Sequence, residues 1–538
     1  MKITFIHAPA YYDFRLKKTF YGPISDVIPS SPVFDMYPLG IASLATHIYS
    51  AGFDVDILNL AALMLLDPNY DVERKIRSLK TDIVGIDLHW LVHANGALKI
   101  ANLVKKYHPD LPIIFGGLSS SYFWRELIEF PQVDMIMRGD TTEGPMIELM
   151  KQLTKDDSNL DKIPNLVWKD KNGEVHKNPL SYVPRKVPLI DYELLGTAAF
   201  RRNWKEWLPY ASFVEAPIMA VFTIKGCVYN CCSCGGSNYA YKTYYSRPYL
   251  ARKKPEDVLK EIRTITNYTK ISIFFVGDLR ISGYADKIIH LLREEKIDNP
   301  LIFEFFYPPN KEFLKQLEKT SERVLLQISP ESHDDQVRFA FGRPYSTSSL
   351  LKSIKYASEM NFERFDLYFM IGLPKQDISS AIDSARFAGK LIDKQIDTFI
   401  APLAPFIDPG SAIFDNPEKY GYTLLFKDLK SHAQAFENDD WIDFLNYETK
   451  WMSREDIRVA TNKALLILHQ MKMEKGKITE KEFEKIRVAI ENESENKVDH
   501  IAVDVRKLYP TRNLYSLIKI NPKTLAFFAK LGLKKLLH

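Results

Sequence analysis

Short apolar runs alternate with amphipathic stretches through the first 150 residues. The amphipathic segments at residues 39–51 and 96–107 have the spacing of surface helices, and the apolar runs have the length of buried strands. This alternation predicts an α/β domain with a parallel, doubly wound sheet and helices on both of its faces. The predicted strands cover residues 3–7, 55–60, 83–86, 113–115 and 135–137.

The carboxyl ends of these strands carry candidate binding residues, because doubly wound sheets bind ligands beyond those ends. The first strand runs into His7-Ala8-Pro9, the third into Asp87-Leu88-His89-Trp90, and the fourth into Gly116-Gly117-Leu118-Ser119. Glycines at such an end let the backbone approach a flat or elongated ligand closely. We therefore expect a binding crevice at this edge.

A different pattern follows residue 160. Residues 165–168 and 174–176 predict a small hairpin around an Asn172-Gly173 turn. Residues 178–215 contain several prolines and aromatic residues without a clear period, which indicates a connecting segment.

A second series of strands and helices begins near residue 220. Six repeats predict a parallel barrel or part of one, a partial (β/α)6 barrel, with its chemistry at the carboxyl ends of the strands. A charged, helical region follows residue 430. We therefore divide the chain into residues 1–160, 161–215, 216–430 and 431–538. The predicted barrel strands cover residues 220–224, 271–276, 301–306, 324–328, 365–371 and 398–401.

Composition and charge exclude several classes of protein. The 538 residues include 72 basic and 68 acidic side chains, so the net charge of +4 gives no reason to expect nucleic acid as a partner. No window approaches about 18 uninterrupted apolar residues, the length that a membrane-spanning helix needs. The N-terminal apolar stretch is too short for a signal peptide. We therefore expect a cytoplasmic protein.

All four cysteines lie in one short segment, Ile-Lys-Gly-Cys-Val-Tyr-Asn-Cys-Cys-Ser-Cys, directly after the first predicted barrel strand. Cys227, Cys231 and Cys234 have the spacing C-x3-C-x2-C, and thiolates so arranged favour iron–sulfur or zinc. Structural zinc normally takes four protein ligands, whereas a cubane held by three cysteines leaves one iron open. A zinc site completed by a distant histidine, or four thiols without metal, are the alternatives. Adjacent cysteines rarely reach one centre, so we expect Cys232 to be a spectator.

The cysteine loop resembles the signature of the radical SAM family. In that family three such cysteines hold a [4Fe-4S] cluster, and S-adenosylmethionine (SAM) chelates the open iron through its amino and carboxylate groups. The resemblance implies a TIM-like partial barrel. It continues in order through Phe275-Val276-Gly277-Asp278, residues 327–332, Phe341-Gly342-Arg343-Pro344 and residues 369–374.

Each of these later segments implies SAM contacts. Gly277 and Asp278 match the element near the methionine amino group, where Asp278 replaces the usual glutamate. Ser329 and Glu331 match the segment that touches the ribose and methionine parts, and Arg343 matches an arginine able to pair with a carboxylate. Gly372 matches the motif near the adenine.

The N-terminal domain resembles the Rossmann-like cobalamin-binding domain that precedes many radical SAM domains. The matching positions include Pro38-Leu39-Gly40, residues 52–55 and 82–86, Gly116-Gly117 and Gly139-Asp140. The Asp-x-His-x-x-Gly motif that supplies a lower cobalt ligand in some cobalamin proteins is absent after the first strand. His89 is then a cobalt ligand or a pocket wall, or the cobalt has no protein ligand below. A degenerate fold that binds nothing is the competing interpretation. The implied cobalamin contacts are Pro9, His89, Gly116, Gly117 and Gly139.

The resemblance covers about residues 1–430 and implies three cofactors: a [4Fe-4S] cluster, SAM and cobalamin. It implies an enzyme that uses a 5′-deoxyadenosyl radical to activate a carbon, with methyl transfer to that carbon as the leading function. A cyclase, oxidative or carbon–carbon bond-forming enzyme that uses cobalamin without methyl transfer is an alternative. A non-catalytic corrinoid or iron–sulfur binding protein is another. Strand positions that share the barrel's inner face are candidate substrate contacts: Glu304, Tyr307, Asp366 and Tyr368.

The expected partners are a small-molecule or lipid substrate and an external one-electron donor of the flavodoxin or ferredoxin type. Residues 522–538 place Lys523, Lys530 and Lys534 near one another, with apolar residues on another side. Such a basic amphipathic helix can rest on an anionic membrane surface, and the competing interpretation is that it docks its apolar side on the barrel.

Overall fold

The structure is a computed structural model that describes residues 1–16, 34–403, 406–491, 517–519, 521 and 523–524. Its N-terminal part is built around one sheet with helices on both faces. The strands of this sheet are β1 Lys2–His7, β2 Asp54–Asn59, β3 Ile83–Asp87, β4 Ile113–Gly116, β5 Met135–Met137, β6 Leu166–Lys169 and β7 Val175–Lys177. The helices are α1 Leu39–Ser50, α2 Leu60–Leu66, α3 Val72–Arg77, α4 Ala94–Tyr107, α5 Leu118–Tyr122, α6 Trp124–Glu129 and α7 Glu143–Leu153.

This sheet has the strand order β2-β1-β3-β4-β5-β6-β7. Strands β1 to β5 are parallel, and β1 and β3 are buried along nearly their whole length, as expected for a sheet covered on both faces. The order reverses between β1 and β3, so the crevice of the sheet lies beyond the carboxyl ends of these two strands. His7 ends β1 and Asp87 ends β3, which places His89 at this point.

The predicted hairpin belongs to the same sheet. Strand β6 pairs antiparallel with β5, with Val167 opposite Ile136, and β7 continues the edge. The segment that we expected to be an irregular connection contains helix α8, Tyr192–Arg201, which is capped by the Asp191 side chain. The sequence pattern missed α8 because this helix is short and lies among prolines and aromatic residues that obscure its period. Its apolar face, with Leu195 and Phe200, faces the cavity described below.

The second sheet forms the partial barrel. Its six strands are parallel in the order β15-β14-β13-β12-β11-β8, and the two outer strands do not pair with each other in the described residues. The strands of this part are β8 Ile218–Phe222, β9 Ile224–Lys225, β10 Ala251–Arg252, β11 Ser272–Val276, β12 Leu301–Phe305, β13 Val324–Glu331, β14 Arg364–Ile371 and β15 Ile396–Pro402. The helices are α9 Asn238–Tyr244, α10 Pro255–Thr266, α11 Ala285–Glu295, α12 Lys311–Leu317, α13 Asp335–Phe341, α14 Thr347–Ser358 and α15 Ile378–Leu391.

The C-terminal region is mainly helical, which completes the predicted fold class and confirms it. Helix α19 packs on α15, where Gly389 leaves room for Met471: a Cβ at Gly389 would lie 2.3 Å from the Met471 sulfur. The elements are α16 Ala412–Asp415, α17 Pro417–Tyr420, β16 Tyr422–Leu424, α18 Leu429–Ala435, β17 Tyr447–Thr449, α19 Arg454–Glu474 and α20 Glu480–Glu491.

The predicted basic helix at residues 522–538 lies outside the described residues, apart from Lys523 and Thr524. Upstream of it, Ile518 bridges to Thr269 before β11, and the Lys519 ammonium lies 2.6 Å from Asp298. Among the described residues, no helix combines the length and the apolar character needed to cross a membrane.

A buried ion pair joins the two sheets. The Arg247 guanidinium donates to both carboxylate oxygens of Asp140, at 2.6 and 2.9 Å, and to the Pro184 carbonyl at 2.8 Å. The Lys225 ammonium donates to the Asp140 carbonyl at 2.9 Å. Asp140 follows β5, and Lys225 lies two positions before Cys227, so these contacts hold the carboxyl edge of the first sheet against the start of the barrel.

Candidate cofactor cavity

One cavity of about 940 Å³ lies between the two sheets, and both contribute to its wall. Its size is at the upper end of the range for cofactor and ligand sites. From the first sheet and its loops it is lined by Gly40, Asp87, His89, Gly116, Gly117 and Gly139, and from the barrel by Cys227, Cys231, Cys234, Gly277, Glu304, Ser329, Glu331 and Arg343.

The cysteine loop leaves the first barrel strand and returns into α9. Cys227, Cys231 and Cys234 face the cavity, whereas Cys232 is not part of its wall. The Cys232 N–H donates to the Phe341 carbonyl at 3.0 Å, and its carbonyl accepts from the Ile413 N–H at 2.9 Å. These bonds tie Cys232 to the protein interior, away from the cavity wall.

The three thiols are spaced more widely than the ligands of a closed zinc site. A tetrahedral zinc site would hold its sulfur ligands about 3.8 Å apart, given Zn–S bonds of about 2.3 Å. The three cysteines do not form a group with all ligand atoms within 4.8 Å. In the described part of the chain the one group that does is Asp170, Glu174 and His176, on the β6–β7 hairpin.

Burial controls the protonation of the cysteines. It raises the pKa of Cys231 to about 11 and raises the pKa of Cys227 and Cys234 as well. At neutral pH the loop therefore carries thiols, which become thiolates only when a metal centre binds.

The structure does not support a SAM contact by Asp278. This side chain is buried and lies outside the cavity wall, where the Arg280 guanidinium holds both of its oxygens, at 2.8 and 2.5 Å. Glu304, on the neighbouring strand β12, lines the cavity instead, and it accepts the Gly277 N–H at 2.8 Å. Burial raises the pKa of Glu304. A carboxylate therefore does stand beside Gly277, but the next strand supplies it.

Glu331 and Arg343 form a buried pair in the cavity wall. The Arg343 guanidinium lies 3.3 Å from Glu331, and burial raises the pKa of Glu331 to about 7. Glu331 has φ +67 and lies at an irregularity in β13. One carboxylate oxygen of Glu331 and the Arg343 Nε have no hydrogen-bond partner among the described residues. Arg343 and Glu304, which both line the cavity, suit a ligand that carries both a carboxylate and an ammonium.

Several other predicted residues lie away from the cavity. Gly372 packs against the C-terminal region, where its carbonyl accepts the Tyr422 hydroxyl at 2.6 Å, and Met370 lines the cavity in its place. Asp366 lies near the amino end of β14 and pairs with Arg364 at 2.5 Å, so it is at the closed end of the barrel. Tyr307 and Tyr368 are also outside the cavity wall.

Of the five residues predicted to contact cobalamin, four line the cavity and one does not. His89, Gly116, Gly117 and Gly139 line the cavity, and a Cβ at Gly116 would meet nothing closer than 3.9 Å, so this backbone is open to a ligand. Pro9 is not part of the wall; its carbonyl packs so closely on α4 that a Cβ at Gly96 would overlap it.

Sequence reasoning missed two parts of the wall. One is an apolar face from α8 and the segment after it, which includes Phe200, Trp204 and Trp207. The other is Asp408, whose carboxylate accepts the Gly235 N–H at 2.9 Å next to Cys234, and burial raises its pKa to about 6. Asp408-Pro409-Gly410 is a turn sequence, but nothing in it indicates contact with the cysteine loop.

Comparison with known proteins gives two consecutive family matches. The model of the B12 binding domain matches residues 26–146, and that of the Radical SAM superfamily matches residues 221–388. The "Uncharacterized methyltransferase PH0819" of Pyrococcus horikoshii is 28% identical over 205 residues. This match spans 37% of the present chain and only 40% of the relative.

Two solved structures have a similar fold. The radical SAM methyltransferase TsrM from Kitasatospora setae, solved with its tryptophan substrate and a SAM analogue, is 14% identical with a TM-score of 0.54, over 78% of this chain and 76% of TsrM. The cobalamin-dependent SAM radical enzyme OxsB is 14% identical with a TM-score of 0.57, over 99% of this chain and 79% of OxsB. At these identities the likeness is one of fold.

Proposed function

Because the chain belongs to the radical SAM enzymes that carry a cobalamin-binding domain, we propose that it methylates an unactivated carbon of a small, largely apolar substrate. The observation that carries this proposal is the single cavity shared by the three cysteines and the Gly116-Gly117 edge. Two cofactor sites that open into one space can act on the same substrate carbon without releasing an intermediate.

The cofactors of this family supply the difficult chemistry when bound: a 5′-deoxyadenosyl radical that takes hydrogen from carbon, and a methyl group carried on cobalt. In this chain Cys227, Cys231 and Cys234 would hold the cluster. Arg343 would pair with the carboxylate of SAM, and Glu304 would accept its ammonium.

The barrel interior supports an apolar substrate. On the barrel side the cavity is lined by several apolar residues, namely Phe222, Phe274, Val276, Phe306 and Met370. Such a wall excludes water, and a radical on the substrate is thereby protected from side reactions. The names of the relatives PH0819 and TsrM favour methyl transfer over the other reactions.

Two further partners belong to this proposal. The cluster needs one electron for each cleavage of SAM, which an external donor of the flavodoxin or ferredoxin type would deliver. A lipid is one form of apolar substrate, and a membrane contact through residues 522–538 would bring the enzyme to it.

The test begins with anaerobically reconstituted protein, in which we expect about four iron, about four sulfide and one cobalt per chain. Reduction in the presence of SAM with a deuterated methyl group should release 5′-deoxyadenosine and place the deuterated methyl on the bound cobalamin. Zinc in place of iron, or no 5′-deoxyadenosine despite bound SAM, would favour a non-catalytic binding protein. Release of 5′-deoxyadenosine without methylation of the cobalamin would favour the cyclase or oxidative alternative.

A further inference from the structure

His89 is the one histidine that lines the cavity in the described part of the chain. It follows β3 at the point where the strand order reverses, which is where a doubly wound sheet binds its ligand. Its ring contacts Trp90 edge-on at 4.8 Å, and the structure records no hydrogen bond to either of its ring nitrogens within the described residues. A ring nitrogen is therefore available to a ligand in the cavity.

The neighbouring histidines differ from His89 in this respect. The two ring nitrogens of His7 bond Asp87 at 2.9 Å and the Phe34 carbonyl at 3.0 Å. His93 donates from Nδ1 to the Ala8 carbonyl, 2.9 Å away, and is fully buried outside the cavity wall. Both nitrogens of His7 have protein partners, and His93 Nε2, which has none among the described residues, is buried away from the cavity wall. His89, in contrast, lines the cavity.

The backbone of His89 is held firmly by the loop after β4. Its carbonyl accepts both the N–H and the hydroxyl of Ser119, at 3.2 and 2.9 Å. Gly117 has φ +111, and a Cβ there would lie 2.6 Å from the His89 Cα, so the two loops touch directly. An imidazole on so fixed a backbone meets a ligand with little loss of conformational freedom.

The imidazole is also in the right protonation state to bind a metal. Burial in the cavity wall lowers the pKa of His89 to about 4, although Asp87 opposes this shift and Lys225 adds to it. The ring is therefore neutral at physiological pH, and its lone pair can be donated without loss of a proton.

We propose that His89 ligates the cobalt of the bound corrinoid through a ring nitrogen, on the face turned toward the N-terminal sheet. This inference rests on the proposed function, since it requires that the domain binds cobalamin. His89 would take the axial position that the corrinoid's own nucleotide base or a water molecule otherwise fills. The ligand would thus come from the loop after the third strand of the chain rather than from the loop after the first.

The nitrogen coupling in the electron paramagnetic resonance spectrum of bound cob(II)alamin tests this directly. In holoprotein of natural isotope composition we expect each cobalt line to be split into a triplet by one axial ¹⁴N nucleus. In protein labelled with ¹⁵N-histidine the triplet should become a doublet, because only protein nitrogen carries the label. The His89→Gln variant should lose the protein-derived splitting. The His290→Gln variant, which changes an exposed histidine on α11, should keep it.

The possible outcomes separate the two proposals. A triplet that survives ¹⁵N-histidine labelling means that the nucleotide base is the ligand. A spectrum without nitrogen splitting means that the cobalt has a water ligand or none. Either result overturns the role of His89 and leaves cobalamin binding intact. Protein that takes up no cobalt overturns the proposed function together with the inference. If His89→Gln fails to bind cobalamin, the labelled wild-type spectrum still decides.

Discussion

The two carboxyl edges that face each other across the cavity are built from the same parts, parallel strands followed by loops, yet they differ in chemistry. The barrel edge gathers three thiols, three carboxylates and a guanidinium. These are Cys227, Cys231, Cys234, Glu304, Glu331, Asp408 and Arg343. The edge of the N-terminal sheet presents glycine backbone and the neutral imidazole of His89. Its acidic side chains are held by protein partners: Asp87 by His7, and Asp140 by Arg247.

This difference matches the ligands expected on each side. A metal cluster and a zwitterionic amino-acid group are recognised by charge, which needs side chains fixed by buried hydrogen bonds. A corrin is large and flat, with many amide groups, so it needs open backbone more than charge. A parallel sheet thus supplies the position of a site, and the loop residues determine what it binds.

The largest expected effect is loss of the metal cluster from the barrel edge, which carries the thiols and the charged groups. Changing Cys227, Cys231 and Cys234 together to alanine removes every thiol that faces the cavity, so we expect iron and sulfide to fall to background after anaerobic reconstitution. Cobalamin uptake should persist, because the edge of the N-terminal sheet with Gly116 and Gly117 is unchanged. Metal and sulfide analysis with the corrin absorbance measures both.

Cys232→Ala is the matched control, since this cysteine lies in the same loop but outside the cavity wall. It should retain the full iron content. Normal iron in the triple variant, or loss of iron in Cys232→Ala, would contradict the assignment of the cluster ligands.

The next largest effect is on stability, and it concerns the ion pair between Arg247 and Asp140 that holds the two sheet edges together. Arg247→Ala leaves the buried Asp140 carboxylate without its partner, and breaking a buried pair in this way costs about 3–5 kcal/mol. We expect a clear fall in the denaturation midpoint of the protein without cofactors. Arg263→Ala removes an arginine from the exposed pair with Glu295 and should cost less than about 1 kcal/mol. Equal effects of the two substitutions would show that Asp140 is not held as described.

The sequence predicts the frame of both edges well. All eleven parallel strands were located within about three residues, because short apolar runs between amphipathic helices leave few other choices. The thiols that face the cavity were identified because their spacing alone is informative. Period-two alternation also selected the inner face of β14, since Asp366, Tyr368 and Met370 share it.

The sequence could not show how far along a barrel strand the cavity begins, or which partner a side chain contacts. Alternation does not tell where along a strand the cavity begins, so Asp366 was selected although Met370 is the residue that reaches the cavity. A motif position does not reveal a competing partner either: Arg280, two residues after Asp278, takes that carboxylate away from the cavity. The wall formed by Trp204 and Trp207 depends on how a connecting segment folds back, which no local pattern encodes.

A smaller effect sharpens the comparison within the charged edge. Glu304→Gln should weaken SAM binding about 10–100-fold, because a hydrogen bond to a charged group contributes about 1.5–3 kcal/mol. Asp278→Asn should leave SAM affinity nearly unchanged and should instead lower the stability, since Asp278 binds Arg280 inside the protein. Calorimetric titration of SAM into cluster-loaded protein, with a thermal melt of each variant, separates the two. The reverse pattern would return the methionine contact to Asp278.

The smallest effects are expected at the edge of the N-terminal sheet. Two adjacent glycines, Gly116 and Gly117, meet different structural requirements there. A Cβ at Gly117 would strain a backbone at φ +111 and press on the His89 backbone, so Gly117→Ala should cost about 1–3 kcal/mol of stability. Gly116 has no positive φ and open space beside it, so Gly116→Ala should leave the stability within about 0.5 kcal/mol of wild type.

Both variants should bind cobalamin more weakly than wild type, but for different reasons. The methyl group of Gly116→Ala points into space that the corrinoid would fill, so this variant should bind cobalamin more weakly although it is stably folded. In Gly117→Ala the affinity should fall because the His89 loop has moved, and the histidine-derived splitting of the cobalt signal should change with it. If Gly116→Ala bound cobalamin as tightly as wild type, the corrinoid would not approach the backbone at this edge, and the contrast between a charged edge and a backbone edge would fail.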